Sequence, residues 1–201
     1  MTDKAITPGK ILLSVALCLL LLSAGTLFTS CKNEQKPADS EEAAETQNEN
    51  KFEDVNEPKE DDSEILVEAA GINLTEIEVG KLAQSKSTNT NVKKYADMLV
   101  ADHTKAYDEL KKYAESQNIS LPLVITEDGK KHVDDLNQKT GKDFDKKFAE
   151  MMVEGHEDAI SKMEKASTDA NNADVKTWAA NQLPTLKAHL EAAKNLKDQV
   201  K

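Results

Sequence analysis

Four separate stretches of the chain place apolar residues at alternating spacings of four and three, and each stretch carries one titratable side chain on that stripe. The first runs Ile65, Ala69, Ile72, Glu76, Val79, Ala83, and the second Val92, Ala96, Leu99, His103, Ala106, Leu110, Tyr113. The third runs Phe148, Met152, His156, Ala159, Met163, Ala166, and the fourth Val175, Ala179, Gln182, Leu186, His189, Ala193, Leu196, Val200. Such alternation is the inward stripe of a bundle helix. No stretch alternates apolar and polar for long enough to make a strand. Aromatic residues at 4% of 201 also suit a helical chain better than a β-sandwich. The predicted fold class is all-α, a four-helix bundle.

Punctuation residues set the helix ends. Ser63 reads as the cap of a first helix over residues 64–85, and Ser87-Thr88-Asn89 breaks it from a second over 89–117. A third begins near Gly141 and ends near Thr168, and a fourth follows Asn171-Asn172 to the C-terminus. Between the second and third lies a long connection, extended around Pro122 and then a short helix from about Glu127. Measured along each helix from its nearest turn, Glu76, His103, His156 and His189 stand at roughly 17, 21, 21 and 27 Å. With the two turns at one end, these heights spread by about 10 Å. With the turns at opposite ends of a bundle roughly 42 Å tall, they agree to about 6 Å. The connection is nearly long enough to make that crossing, and one long connection at this place is the ferritin-like topology. The four polar residues are therefore expected to converge at mid-bundle.

The N-terminus reads as an address. Lys4 and Lys10 precede the run ILLSVALCLLLL over residues 11–22, which has no charge. Twelve residues fit a secretory h-region and fall short of the roughly 20 of a membrane span. The run softens into small residues ahead of Cys31 and resembles a lipobox, with Phe28 where Leu is more usual. Residues 1–30 are thus predicted to be a lipoprotein signal peptide, with Cys31 the lipidated mature N-terminus. An uncleaved anchor reaching Phe28 is the competing reading. Residues 32–62 hold twelve acidic residues against four Lys, with Phe52 and Val55 the large apolar ones. That composition predicts a disordered tether over 31–62 and a folded domain over 63–201. The location implied is the bacterial cell envelope, most naturally the outer membrane, and the membrane is a partner through Cys31.

Composition excludes other partners. A net charge of -11 with 26 Lys and no Arg offers no guanidinium fork for phosphates or base edges, so no nucleic-acid partner is expected. No Ser-His-Asp order, Gly-rich phosphate loop, CxxC pair or HExxH motif is present. The strings LTEIEVGKLA, YADMLVADHTKAYDEL, TGKDFDKKFAEMMVEGHEDAI and LPTLKAHLEAAK resemble the domain of unknown function 4142 family, in order and over about residues 64–196. The resemblance implies a ferritin-like four-helix bundle of the bacterial envelope and no known reaction. The family's Asp-His pair falls on Asp102 and His103, its third-helix His on His156, and its Leu-Pro…His on Leu183, Pro184 and His189.

Two readings of the seam residues stand side by side. Three imidazoles and a carboxylate, His103, His156, His189 and Glu76, suit a single divalent ion such as Zn, Fe or Mn, with Asp102 orienting a ring from behind. Alternatively the four form a hydrogen-bonded polar core that fixes helix register. A dimetal centre fits poorly: Val100, Val153 and Leu186 stand where Glu-x-x-His motifs need Glu. His132 reads as solvated, the Met residues as core filler, and Pro184 as a bend in the fourth helix. The function classes are a non-enzymatic envelope lipoprotein with a structural or interaction role, or a metal-binding, oxidative-stress-protective bundle of ferritin type. Cells fed a fatty-acid analogue should label the wild-type chain and not Cys31→Ser; equal labelling of both would exclude lipidation at that residue.

Overall fold

The computed structural model describes residues 39–52 and 57–201. The predicted signal peptide and Cys31 lie outside the described residues. Six helices form in order: α1 (Ser40–Phe52), α2 (Glu57–Lys86), α3 (Thr90–Ser116), α4 (Glu127–Asn137), α5 (Gly141–Asp169) and α6 (Ala173–Gln199). No strand occurs among the described residues. None of the described helices is long and apolar enough to cross a membrane. The fold is all-α, and α2, α3, α5 and α6 are its four bundle helices.

Local chemistry stops and starts the helices where the sequence indicates. The Asn89 side chain accepts from the Asn91 N–H, and the Asn172 side chain from the Asp174 N–H, so both interhelical turns begin their next helix with a side-chain cap. The Thr126 hydroxyl accepts from the Gly129 N–H and caps α4. Gly141 opens α5 at φ +57°, a conformation that favours glycine. Gly129 has a different reason: a Cβ there would collide with the Thr75 hydroxyl, so α4 lies flush on α2 only because position 129 is bare.

Two apolar cores fill the bundle, one at each end. The first joins Val79 and Ala83 of α2, Val92, Ala96 and Leu99 of α3, Phe144, Phe148 and Met152 of α5, and Ala193 and Leu196 of α6. The second joins Leu66 and Ala70 of α2, Leu110 and Ala114 of α3, Ala159, Met163 and Ala166 of α5, and Val175 and Ala179 of α6. The end of α2 thus meets the start of α5, while the end of α5 meets the start of α2. The two tight turns sit at opposite ends, and the α3–α5 connection crosses the length of the bundle. Each turn is tied to the opposite pair of helices. Ser87 Oγ donates to Asp145 Oδ1 at 2.6 Å at one end, and at the other Asp62 accepts from the Asn171 and Asn172 N–H groups at 2.7 and 2.6 Å.

The expected disordered tether over 31–62 is corrected across its described part. Residues 40–52 are helical, and α2 begins at Glu57 rather than after Ser63. Ser63 lies inside α2, its hydroxyl donating to the Glu60 carbonyl at 2.7 Å. Composition misled because α1 still sets Ala44, Asn48 and Phe52, four apart, on one buried stripe, with its acidic residues off that stripe. That stripe also satisfies a backbone with no ladder of its own. Asn48 donates to the Ser120 carbonyl at 2.9 Å and accepts from the Ser120 N–H at 2.7 Å. Ser40 Oγ donates to the Val124 carbonyl at 2.9 Å, and the Asp39 carboxylate accepts from the Glu127 N–H at 3.1 Å. The crossing connection is buttoned down by α1, which gives partners to backbone groups that no helix or sheet satisfies.

Limited proteolysis of the full chain should therefore leave a resistant fragment that begins upstream of Ala44. Phe52→Ala should lower the melting temperature, by at most about 3 kcal/mol of stability, capped by the free energy with which α1 docks. A fragment beginning near Ser63 would show that α1 does not hold.

Candidate metal centre

Between the two apolar cores lies one polar layer. His103 of α3, His156 of α5 and His189 of α6 are all buried there, at 4%, 1% and 2% exposure. Their ring centroids form a near-equilateral triangle, 5.8 Å from His103 to His156, 5.4 Å from His103 to His189, and 5.3 Å from His156 to His189. One nitrogen of each ring can be chosen so that all three lie within 4.8 Å of one another. The opposite ends of the bundle therefore deliver three histidines to one height, as the crossing connection requires.

Each ring is held by an oxygen on its outer nitrogen. His103 Nδ1 lies 2.9 Å from Asn73 Oδ1, an acceptor because Asn73 Nδ2 is committed to the Ala69 carbonyl at 2.8 Å. His156 Nδ1 lies 2.8 Å from the Met152 carbonyl. His189 Nε2 lies 2.9 Å from Asp102 Oδ2. Carbonyl and carboxylate oxygens only accept, so each of these outer nitrogens carries the ring's proton. The other three nitrogens, His103 Nε2, His156 Nε2 and His189 Nδ1, are turned away from those oxygens, and each carries a lone pair where its ring is neutral. His156 Nε2 and His189 Nδ1 stand 3.3 Å apart. His103 Nε2 is buried with no partner at all. Asp102 remains half-exposed, at 46%.

Electrostatics keep two of these rings neutral. Burial, then the neighbouring His156 and His189, pushes His103 down to about 3. Burial likewise takes His156 down to about 4, outweighing its bond to the Met152 carbonyl. Neutral imidazoles with free lone pairs are metal ligands, and an outer oxygen that fixes the tautomer is the usual companion of such a ligand.

Glu76 does not join the three rings. It is buried, its Oε2 lacks a partner, and Oε1 faces the bare Cα of Gly155. It lines a groove with Thr75, Gly129 and Met152 between α2, α4 and α5, whereas His103 and His189 line a separate cavity. The physical reason is that α2 is covered on two sides, by the bundle and by α1 and α4, so its inward stripe is broader than a 4-3 seam. Asn73, one turn earlier, takes the place facing His103. Sequence reading missed Asn73, although its position beside Ile72 on the same stripe was a usable signal. Burial pushes the Glu76 carboxyl up to about 8.

Over residues 44–196 the chain matches the family described as "Domain of unknown function (DUF4142)". The chain belongs to that family. No curated protein matches it in sequence. Among solved structures it is similar to "CopM in the Cu(II)-bound form", with 15% identity and a TM-score of 0.59 over 70% of this chain and 97% of that one. At that identity the likeness speaks to the helical fold.

The shifted groups set a pH profile for the metal-free protein. Unfolded histidines take up protons near 6.5, whereas folded His103 and His156 wait until about 3 and 4, so acid destabilises across that window. Glu76 acts oppositely. Its folded carboxyl keeps the proton up to about 8 and its unfolded carboxyl releases it near 4.5, so its contribution is lost as pH rises between them. Two histidines outweigh one carboxyl on the acid side, so melting temperature should peak near pH 6.5 and decline toward pH 8. Glu76→Gln should flatten the alkaline decline and keep the acid one. An alkaline limb unchanged by that substitution would clear Glu76 of the effect.

Proposed function

We propose that this DUF4142 protein is a lipid-anchored envelope protein that binds one divalent transition-metal ion through His103, His156 and His189. The observation that carries the reading is the convergence of three histidine rings whose outer nitrogens are already committed to oxygen. A polar core held by hydrogen bonds alone would need a proton between His156 and His189, and would still leave His103 Nε2 unpaired at the cost of a buried, unsatisfied group. A metal satisfies all three at once. Metal–nitrogen bonds of about 2.0–2.1 Å in a tetrahedral or trigonal site put ligand nitrogens roughly 3.3–3.6 Å apart. The 3.3 Å between His156 and His189 already meets that spacing.

Donor type narrows the metal. Imidazoles without thiolate or carboxylate suit Zn²⁺ and Cu²⁺ over Mg²⁺, Ca²⁺ or Mn²⁺. CopM, whose helical fold this bundle resembles, has a Cu(II)-bound form, which favours copper. A dimetal centre is unsupported, since no carboxylate joins the three rings. The anchor at Cys31 rests on the sequence reading of residues 1–31. It would hold the domain at a membrane surface, where a metal-binding role is sequestration or handover rather than catalysis.

Purified protein titrated with Cu²⁺ or Zn²⁺ should bind one equivalent, and its melting temperature should rise with metal concentration because the ion binds only the folded state. His156→Ala should abolish both effects. Asn73→Ala, which frees the His103 ring but removes no ligand, should weaken affinity by roughly 10–100-fold. A melting temperature indifferent to both metals would leave the hydrogen-bonded core as the account of the layer.

A further inference from the structure

A cavity of about 50 Å³ lies beside the histidine layer, against His103 and His189 but not His156. It is bounded by Ala69, Ala106, Met163, Trp178 and Leu186, with His103 and His189 in its wall and Asp102 and Thr185 toward solvent. It follows the α3–α6 seam, where helix contact is much sparser than between α5 and α6 or between α2 and α3. Such a volume has room for about three or four water-sized atoms and no more.

Only three protein donors converge on this layer. No other His, Cys, Asp or Glu among the described residues completes the group. Structural zinc sites are closed by four protein ligands, while sites with three keep a position for an exogenous group. Charge decides what that group is. Three imidazole ligands bring no negative charge to a divalent ion, and the one carboxylate near the shell, Asp102, acts only through the far nitrogen of His189. A buried double positive charge is costly unless it is neutralised.

We infer that the metal site, on the reading proposed above, has an open fourth position facing this cavity, and that the position takes a small monoanion. The cavity's size limits the ligand to a few heavy atoms. Hydroxide derived from water is the ordinary occupant near neutral pH, since a divalent ion of this kind lowers the pKa of bound water to about 7. Its mostly apolar wall excludes extended or multiply charged anions, which would find few hydrogen-bond partners there.

The test uses the purified full chain loaded with Co²⁺, whose visible absorption reports coordination, and azide as the probe. Azide should change the spectrum saturably while metal stoichiometry stays at one. Benzoate, an anion too large for the cavity, should leave the spectrum unchanged. Ala106→Leu, which fills the cavity and replaces no ligand, should weaken azide binding at least tenfold and keep the metal. Should that variant not fold, the contrast between azide and benzoate in the wild type decides alone. A loaded protein whose spectrum ignores azide would overturn the open position and leave the metal site standing. Equal responses to azide and benzoate would overturn the cavity's role. Failure to bind Co²⁺, Cu²⁺ or Zn²⁺ would overturn both this inference and the function on which it rests.

Discussion

Three hydrogen bonds from the outer ring nitrogens to Asn73, the Met152 carbonyl and Asp102 decide the character of the whole central layer. They fix which nitrogen of each imidazole lies on an outer oxygen, and so turn the other three nitrogens away from those oxygens. Everything around the layer follows from keeping those three nitrogens dry and close. The apolar cores above and below exclude water, which depresses the basicity of His103 and His156 and prevents protons from occupying the space between the rings. A layer of this kind is poor as a stability device. Replacing buried polar groups by apolar side chains is often neutral or stabilising, so its retention is better explained by a ligand than by folding.

Bringing three helices to one height is a problem of topology. His103 lies mid-way along α3, and His156 and His189 lie mid-way along a pair whose turn is at the other end of the bundle. Only a connection that spans the bundle can align them. The chain from Gln117 to Thr140 does so, and its exposed backbone is satisfied by α1 through Asn48, Ser40 and Asp39. The first helix is thereby linked to the site through the connection it holds down. Its acidic, polar composition is a consequence of that task, since one face meets loop backbone and the other meets water.

Much of this was legible in the sequence. The four seams, the break at Ser87-Thr88-Asn89, the Gly141 start and the short helix from Glu127 are encoded locally, by periodicity and by side chains that cap. The three histidines stood out because a titratable residue on an otherwise apolar seam has few cheap explanations, and Asp102 through its place in the family's Asp-His pair. Two features were not legible, for a shared reason. The folding of residues 40–52 and 57–62 and the turning away of Glu76 both depend on α1 and α4 covering the outer side of α2. Periodicity along one helix cannot show how many neighbours that helix will have. Val67, off the expected stripe, fully buried and in neither bundle core, and Gly71, which faces Glu41 and Thr126, record the second covered face.

The same asymmetry bears on how a metal would enter. His156 and His189 belong to the tightly packed α5–α6 pair and already stand 3.3 Å apart, at ligand spacing. His103 comes from α3, which is bound firmly to α2 but only sparsely to α6. Two ligands are thus preorganised, and bringing the third to the same spacing requires closing the sparser α3–α6 seam. The movement needed is small, since suitably chosen nitrogens of the three rings already lie within 4.8 Å. It would tighten the α3–α6 contact beside the cavity, so metal capture and closure of the bundle would be one event. A site built on three equally rigid helices would hold its geometry better but would offer the ion no way in.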